Sequence, residues 1–141
     1  MIQQTLGMIK PDAINKNIIG EIIKMIEEKE IKIKAIKMTK MTKKTAESFY
    51  SIHKGKPFFE SLVDFMISGS VIPMILEGED VIARYRELMG ATDFKKADKN
   101  TIRHRFGTTI EKNAVHGSDS IENAEIEINF FFSKEEQIAL D

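Results

Sequence analysis

Three histidines occur in a chain without cysteine, and their neighbourhoods differ. His116 lies in Asn113-Ala114-Val115-His116-Gly117-Ser118-Asp119-Ser120, between an apolar pair and a dense run of hydrogen-bonding side chains. A neutral imidazole is a competent nucleophile near pH 7, and Gly117 would let a bulky group approach beside it. The competing reading is a histidine hydrogen-bonded at a strand end. On local sequence alone that reading weighs more, because lone histidines are usually structural. His53 precedes the turn residues Gly55 and Pro57 and reads as a surface or packing residue, while His104 follows Arg103 in a basic stretch and receives no role. No two of the three have the spacing of a metal-ligand pair.

Phosphate chemistry would need cations. Lys10 closes an apolar run before Pro11, Arg86 sits at the edge of a helical apolar stripe, and Arg103 follows a long polar segment. Together they could form a phosphate pocket, because a guanidinium fork matches phosphate oxygens in a bidentate way. Taken singly, each reads as a solvated surface charge. Phe58 and Phe59 follow Lys56-Pro57. Phe59 reads as core, whereas Phe58, directly after the turn, could be an exposed surface on which a base stacks. The chain has no G-x-x-x-x-G-K-[ST] loop and no G-x-G-x-x-G turn, which disfavours a P-loop kinase or a Rossmann enzyme.

The elements that must position these groups follow from periodicity. Residues 5–9 form a short apolar run ended by Pro11, so a strand closing at Lys10 is expected. Ile18, Ile19, Ile22, Ile23 and Ile26 recur at helical spacing, and residues 31–38 alternate Ile and Lys as a half-solvated strand. Helices are expected at 44–52 and 58–68, a buried strand at 71–76, and a helix along Val81, Ile82, Tyr85, Leu88 and Met89 that stops at Gly90. Residues 91–100 read as a loop, 114–117 as a short last strand, and 121–132 as a helix capped by Asp119 or Ser120. Strands alternating with helices imply an α/β (α+β) sandwich: a ferredoxin-like, four-stranded antiparallel sheet with helices covering one face. No repeat or linker composition divides the 141 residues, so one domain over 1–141 is expected.

Lys plus Arg number 21 and Asp plus Glu 22, so the overall field gives no case for a nucleic-acid or membrane-surface protein. No apolar run approaches the roughly 20 residues needed to span a bilayer, and MIQQTLGMIKPD does not read as a signal peptide. A cytoplasmic protein is expected.

Together these segments resemble the nucleoside diphosphate kinase family. The Asn113-x-x-His116-Gly117-Ser118-Asp119-Ser120 run looks like that family's active-site signature. Its other markers occur in order: Lys10-Pro11-Asp12, Tyr50 before His53, Lys56-Pro57-Phe58-Phe59, Glu77-Gly78, Met89-Gly90-Ala91-Thr92 and Thr101-Ile102-Arg103. The resemblance implies transfer of the γ-phosphate of a nucleoside triphosphate, typically ATP, to a nucleoside diphosphate. Transfer would be ping-pong, with broad base tolerance, through a phosphohistidine on His116, and Mg²⁺ would be bound mainly by the nucleotide phosphates. Lys10, Tyr50, Arg86, Thr92, Arg103 and Asn113 would hold phosphates and ribose, Lys10 also serving catalysis. Phe58 would stack on the base, with Leu62 and Ile110 lining the same cleft. Ser118 and Glu127 would orient and polarise the imidazole, which requires the last helix to fold back beside the strand of His116. The implied partners are nucleoside di- and triphosphates and copies of the chain in a homotetramer or homohexamer, without obligatory nucleic acid or membrane. A ferredoxin-like module that binds nucleotide without turnover is the alternative from another class.

The chain departs from the family pattern at two places. Residues 93–100 lack the usual proline or glycine of a loop that shapes subunit contacts. His104-Arg105 stands where a small residue and Asp are common, so a local salt bridge is expected to be lost. The chain ends soon after Phe132 and Leu140, as in bacterial-type members.

Overall fold

From Thr5 to Ile9 every residue is buried, a pattern a strand shows only when both faces of its sheet are covered. In the computed structural model, which describes residues 1–138, this run ends strand β1 (Ile2–Ile9). Leu140 lies outside the described residues. β1 pairs antiparallel with β3 (Ile72–Glu79) on one side and with β4 (Val115–Gly117) on the other. β2 (Lys32–Ile36) pairs antiparallel with β3 at the edge, giving the order β2-β3-β1-β4 of a ferredoxin-like sheet.

Eight helices surround it among the described residues: α1 (Pro11–Asn15), α2 (Ile19–Glu28), α3 (Lys43–Phe49), α4 (Phe59–Met66), α5 (Val81–Met89), α6 (Ile102–Phe106), α7 (Ile121–Phe131) and α8 (Lys134–Ile138). They lie on both faces of the sheet, which corrects the expectation of one. Ile9, Met74 and Leu76 pack with Ile22 and Ile26 of α2 and Tyr85 and Leu88 of α5. On the other face, Met8 packs with Leu62, Val63 and Met66 of α4, and Leu6 and Ile75 pack with Ile128 of α7. The period-2 alternation of a strand hands successive β1 residues to these two cores.

Most boundaries follow local chemistry. α5 spans the expected stripe and stops at Gly90, whose φ of 85° suits glycine. Ser120 caps α7 by accepting from the Asn123 N–H at 3.1 Å. β2 covers less than the 31–38 alternation, and its register shifts within the strand between Ile33 and Ala35. β3 is longer than 71–76 because its ladder with β1 continues to the Ile2–Glu79 pair. Among the described residues no helix is long and apolar enough to cross a membrane.

Gly7 and Gly117 face each other across β1 and β4, and the Tyr85 ring of α5 packs against both. A Cβ on Gly117 would come within 2.7 Å of Met89 Cε and 2.8 Å of Tyr85 Cδ2. Gly117→Ala is therefore expected to cost about 1–3 kcal/mol through overpacking. Urea unfolding tests this, and an unchanged midpoint would refute the tight fit.

Candidate active site

The ladder places His116 opposite Met8 of the central strand, and α7 returns alongside β1. That return brings Glu127 to the imidazole: Glu127 Oε1 lies 2.8 Å from His116 Nε2. The Ser118 hydroxyl donates to the same oxygen at 2.8 Å and accepts from the Leu6 N–H at 3.3 Å. A carboxylate can only accept, so Nε2 is the nitrogen that donates here, and in a neutral imidazole the lone pair is then on Nδ1. Phe49 lies edge-on to the imidazole at 5.3 Å, and Tyr50 is perpendicular to it at 6.4 Å. Phe49 also contacts Phe130 and Phe131 of α7, so this wedge ties α3 to the helix that carries Glu127.

A cluster of cations surrounds the Asn113 turn. Lys10 is only 7% exposed, and its Nζ donates to Asn113 Oδ1 at 2.8 Å. Asn113 Nδ2 in turn donates to the carbonyls of Ile110 at 2.8 Å and Thr92 at 3.4 Å. Arg103, 9% exposed, donates from one terminal nitrogen to the Gly90 carbonyl at 3.1 Å and from the other to the Val115 carbonyl at 2.9 Å. Its Nε is buried without a partner among the described residues, as is Tyr50 Oη. Burial, then the Arg103 charge, push Lys10 down to about 8, against the pull of Asp12 and Glu111. Burial also lowers Arg103, with Tyr85 opposing and the exposed Arg86 adding to the effect. Asp119, held low first by its hydrogen bond from Asn123, also feels Arg86 and His116. Such crowding of half-satisfied cations is costly in a free protein and suits an anion with several oxygens.

The other end of the site is aromatic. Phe58 is 45% exposed at the N-terminus of α4, with His53 at 5.2 Å and Lys56 Nζ at 5.9 Å from its ring. His53 stacks on Tyr50 at 6.4 Å, which completes a line of rings from Phe58 to His116. Leu62 is buried on the inner face of α4, Thr92 is exposed, and Ile110 is 63% exposed on the loop before Asn113. Ser61 Oγ donates to Glu111 at 3.1 Å and ties that loop to α4. Phe59 packs in the core as expected.

A model of the nucleoside diphosphate kinase family matches residues 3–137. The chain belongs to that family. A nucleoside diphosphate kinase of Anaeromyxobacter dehalogenans is 59% identical over 131 residues, 93% of this chain and 89% of the relative. One from Wolinella succinogenes is 54% identical, covering 96% of this chain and 98% of the relative. The crystal structure of the Aquifex aeolicus nucleoside diphosphate kinase superposes with a TM-score of 0.94 at 45% identity, over 96% of this chain and 99% of that one. The halophilic enzyme of Halobacterium salinarum in complex with CDP gives 0.92 at 38% identity, over 96% and 91%.

Against this nucleoside diphosphate kinase background, the departures are local. Where the family salt bridge is expected to be lost, Arg105 pairs with Glu21 at 3.7 Å, both side chains about half exposed, a contact of little energetic weight. In the 93–100 loop Asp93 caps a short 3₁₀ turn (Phe94–Lys96) by accepting from the Lys95 N–H at 3.0 Å. Phe49 and Asp12 carry no role in the sequence, and His53, expected as a surface or packing residue, packs between Tyr50 and Phe58. Tyr50 and His53 are three residues apart, and that helical spacing was the available signal. Asp12 accepts the Ala114 N–H at 3.0 Å, a contact across 102 residues that no local pattern encodes.

Proposed function

We propose that this nucleoside diphosphate kinase moves a γ-phosphate from one nucleotide to another through His116 Nδ1. The observation that carries the reading is the Glu127–His116 pair, which fixes the proton on Nε2 and leaves Nδ1 as the nucleophile. In the first half-reaction Nδ1 attacks the γ-phosphorus, the bond to the β-phosphate oxygen breaks, and the nucleoside diphosphate leaves. In the second, a β-phosphate oxygen of another diphosphate attacks the phosphohistidine and the imidazole is regenerated. Glu127, oriented by Ser118, stabilises the positive charge that develops on the ring. Lys10, Arg86 and Arg103 disperse the charge on the transferring group, and Tyr50, Thr92 and Asn113 hold phosphate and ribose oxygens.

Among the described residues no group of three or more His, Asp or Glu could hold a metal ion, whereas the site is rich in cations that complement phosphate. Magnesium therefore suits this site as an ion held by the nucleotide phosphates, where it would neutralise their charge. Phe58 stacks on the base, flanked by Leu62 and Ile110. A ring face is offered to every base, which supports broad tolerance. Exposed Ile36 and Met38, at the end of edge strand β2 and just after it, support assembly into a tetramer or hexamer. A cytoplasmic location belongs to the same proposal.

Incubation with γ-labelled ATP and Mg²⁺ tests the reading. Acid-labile label on the protein that moves to added GDP is expected, and well-folded protein that takes no label would overturn it. Phe58→Ala should weaken binding of all nucleotides by about 1–3 kcal/mol. Titration with ATP, GTP and CTP checks this, and losses that differ sharply between bases would count against stacking. Lys10 attracts phosphate only while protonated, and kcat/KM reports the free enzyme. That ratio should accordingly decline as pH rises through about 8, because burial and Arg103 have brought Lys10 down from 10.5. A profile flat to pH 10 would contradict the assignment.

A further inference from the structure

Five residues other than glycine have positive φ among those described, and four of them (Asn17, Glu30, Asp80 and Asn100) are exposed. Ala114 is the fifth, with φ of 74° and no exposure at all. A side chain with a Cβ resists this region, and such strain persists only where the surroundings impose it. Here the Val115 N–H bonds back to the Asn113 carbonyl at 2.9 Å, closing a three-residue γ-turn around Ala114. The Ala114 carbonyl accepts from the Lys10 N–H at 2.9 Å, and its N–H donates to Asp12 Oδ2 at 3.0 Å. Asp12 is buried, and its Oδ1 has no partner among the described residues, so this carboxylate is out of water for one backbone hydrogen bond.

Everything next to that turn belongs to the phosphate site. Asn113 holds Lys10 Nζ, the Val115 carbonyl holds Arg103, and His116 follows directly. We infer that Asp12 is a positioning residue for phosphoryl transfer: its carboxylate clamps the Ala114 peptide in the left-handed turn that aligns Asn113, Arg103 and His116. This inference rests on the proposed function of the same site. Asp12 has a second effect through its charge. The charged groups felt by Lys10 are Arg103 from α6, Asp12 from α1 and Glu111 from the loop before β4, and Asp12 leads those that keep it protonated.

The test uses the full chain with Asp12→Asn, Asp12→Ala, Ala114→Gly and the double variant Asp12→Ala/Ala114→Gly. Measurements are kcat/KM against pH with ATP and GDP, ATP affinity by calorimetry, and the thermal midpoint. Asp12→Ala should lower kcat/KM on the order of 10- to 100-fold, the scale of a small misplacement of catalytic groups. The double variant should recover roughly tenfold, because glycine adopts the left-handed turn without a clamp. Asp12→Asn keeps an oxygen to accept from Ala114 but loses the charge, so its basic limb should move to lower pH while most activity at neutral pH remains. Wild-type kcat/KM in Asp12→Ala, or no recovery in a double variant that melts like the wild type, would overturn the clamp. Should Asp12→Ala not fold, the double variant decides: kcat/KM within about tenfold of the wild type supports the clamp, and a folded double variant well below that overturns it. A wild-type chain that transfers no phosphate would instead overturn the reading of the site, and ATP affinity across the variants would still report on the clamp.

Discussion

His116→Ala is expected to lower phosphate exchange by on the order of 10⁵-fold or more, the scale seen when an enzyme loses its nucleophile. The fold should survive this change. Glu127 Oε1 keeps the Ser118 hydroxyl at 2.8 Å, so no buried carboxylate is stranded, and Ser118 keeps the Leu6 N–H. The space left lies beside Phe49 and Tyr50, at a side chain already 19% exposed, so water can enter at small cost. Nucleotide affinity should remain largely intact, because Lys10, Arg103, Asn113 and Phe58 are held by contacts that do not involve the imidazole. A coupled assay with ATP and GDP, together with calorimetric binding of ADP, separates the two effects. Acid-labile label persisting on the variant would move the nucleophile elsewhere, and His53, the next imidazole along the line of rings, would become the first suspect.

The elements that position the site were legible wherever one period ran long enough. The isoleucine stripe of α2 and the Val81–Met89 stripe of α5 are three turns or nearly so, and both helices lie where periodicity places them. Three helices of five residues, α1, α6 and α8, were not legible, because a turn and a half cannot establish a period. Coverage of both sheet faces was missed, although residues 71–76 read as a buried strand. A short apolar run, however, does not say how many layers bury it.

The site was legible in two different ways. Lys10, Arg86, Arg103 and His116 have side chains whose chemistry announces a phosphate site once they are grouped, but their grouping came from the family pattern and not from spacing. The structure brings them together because β1, α5, α6 and β4 meet around Tyr85 and the two facing glycines. The return of α7 to His116 was a geometric condition that the sequence could pose, and the Nε2–Oε1 distance of 2.8 Å meets it. What stayed hidden was backbone: the left-handed Ala114, its Asp12 clamp and the carbonyls of Gly90 and Val115 that seat Arg103. Any residue type supplies a carbonyl, so no composition signal marks those positions.

Those two carbonyls make Arg103 the position of next largest effect. Arg103→Ala should cut kcat/KM by on the order of 10²- to 10³-fold, the range for removing one preorganised donor from a developing charge. It should also destabilise the fold, since the buried Val115 carbonyl and the part-buried Gly90 carbonyl each lose a donor, at roughly 1–3 kcal/mol for the first and less for the second. Arg103→Lys should not restore either property in full, because one ammonium on a flexible stem cannot span both carbonyls and also offer further N–H groups to phosphate. Arg86 supplies the contrast: it is exposed on α5, so Arg86→Ala should lose activity while the thermal midpoint stays put. Paired melting curves and steady-state kinetics on the three variants give the comparison. Arg103→Ala at full activity would remove this guanidinium from the phosphate site. Equal stability losses for Arg86→Ala and Arg103→Ala would show that the two carbonyl bonds do not seat Arg103.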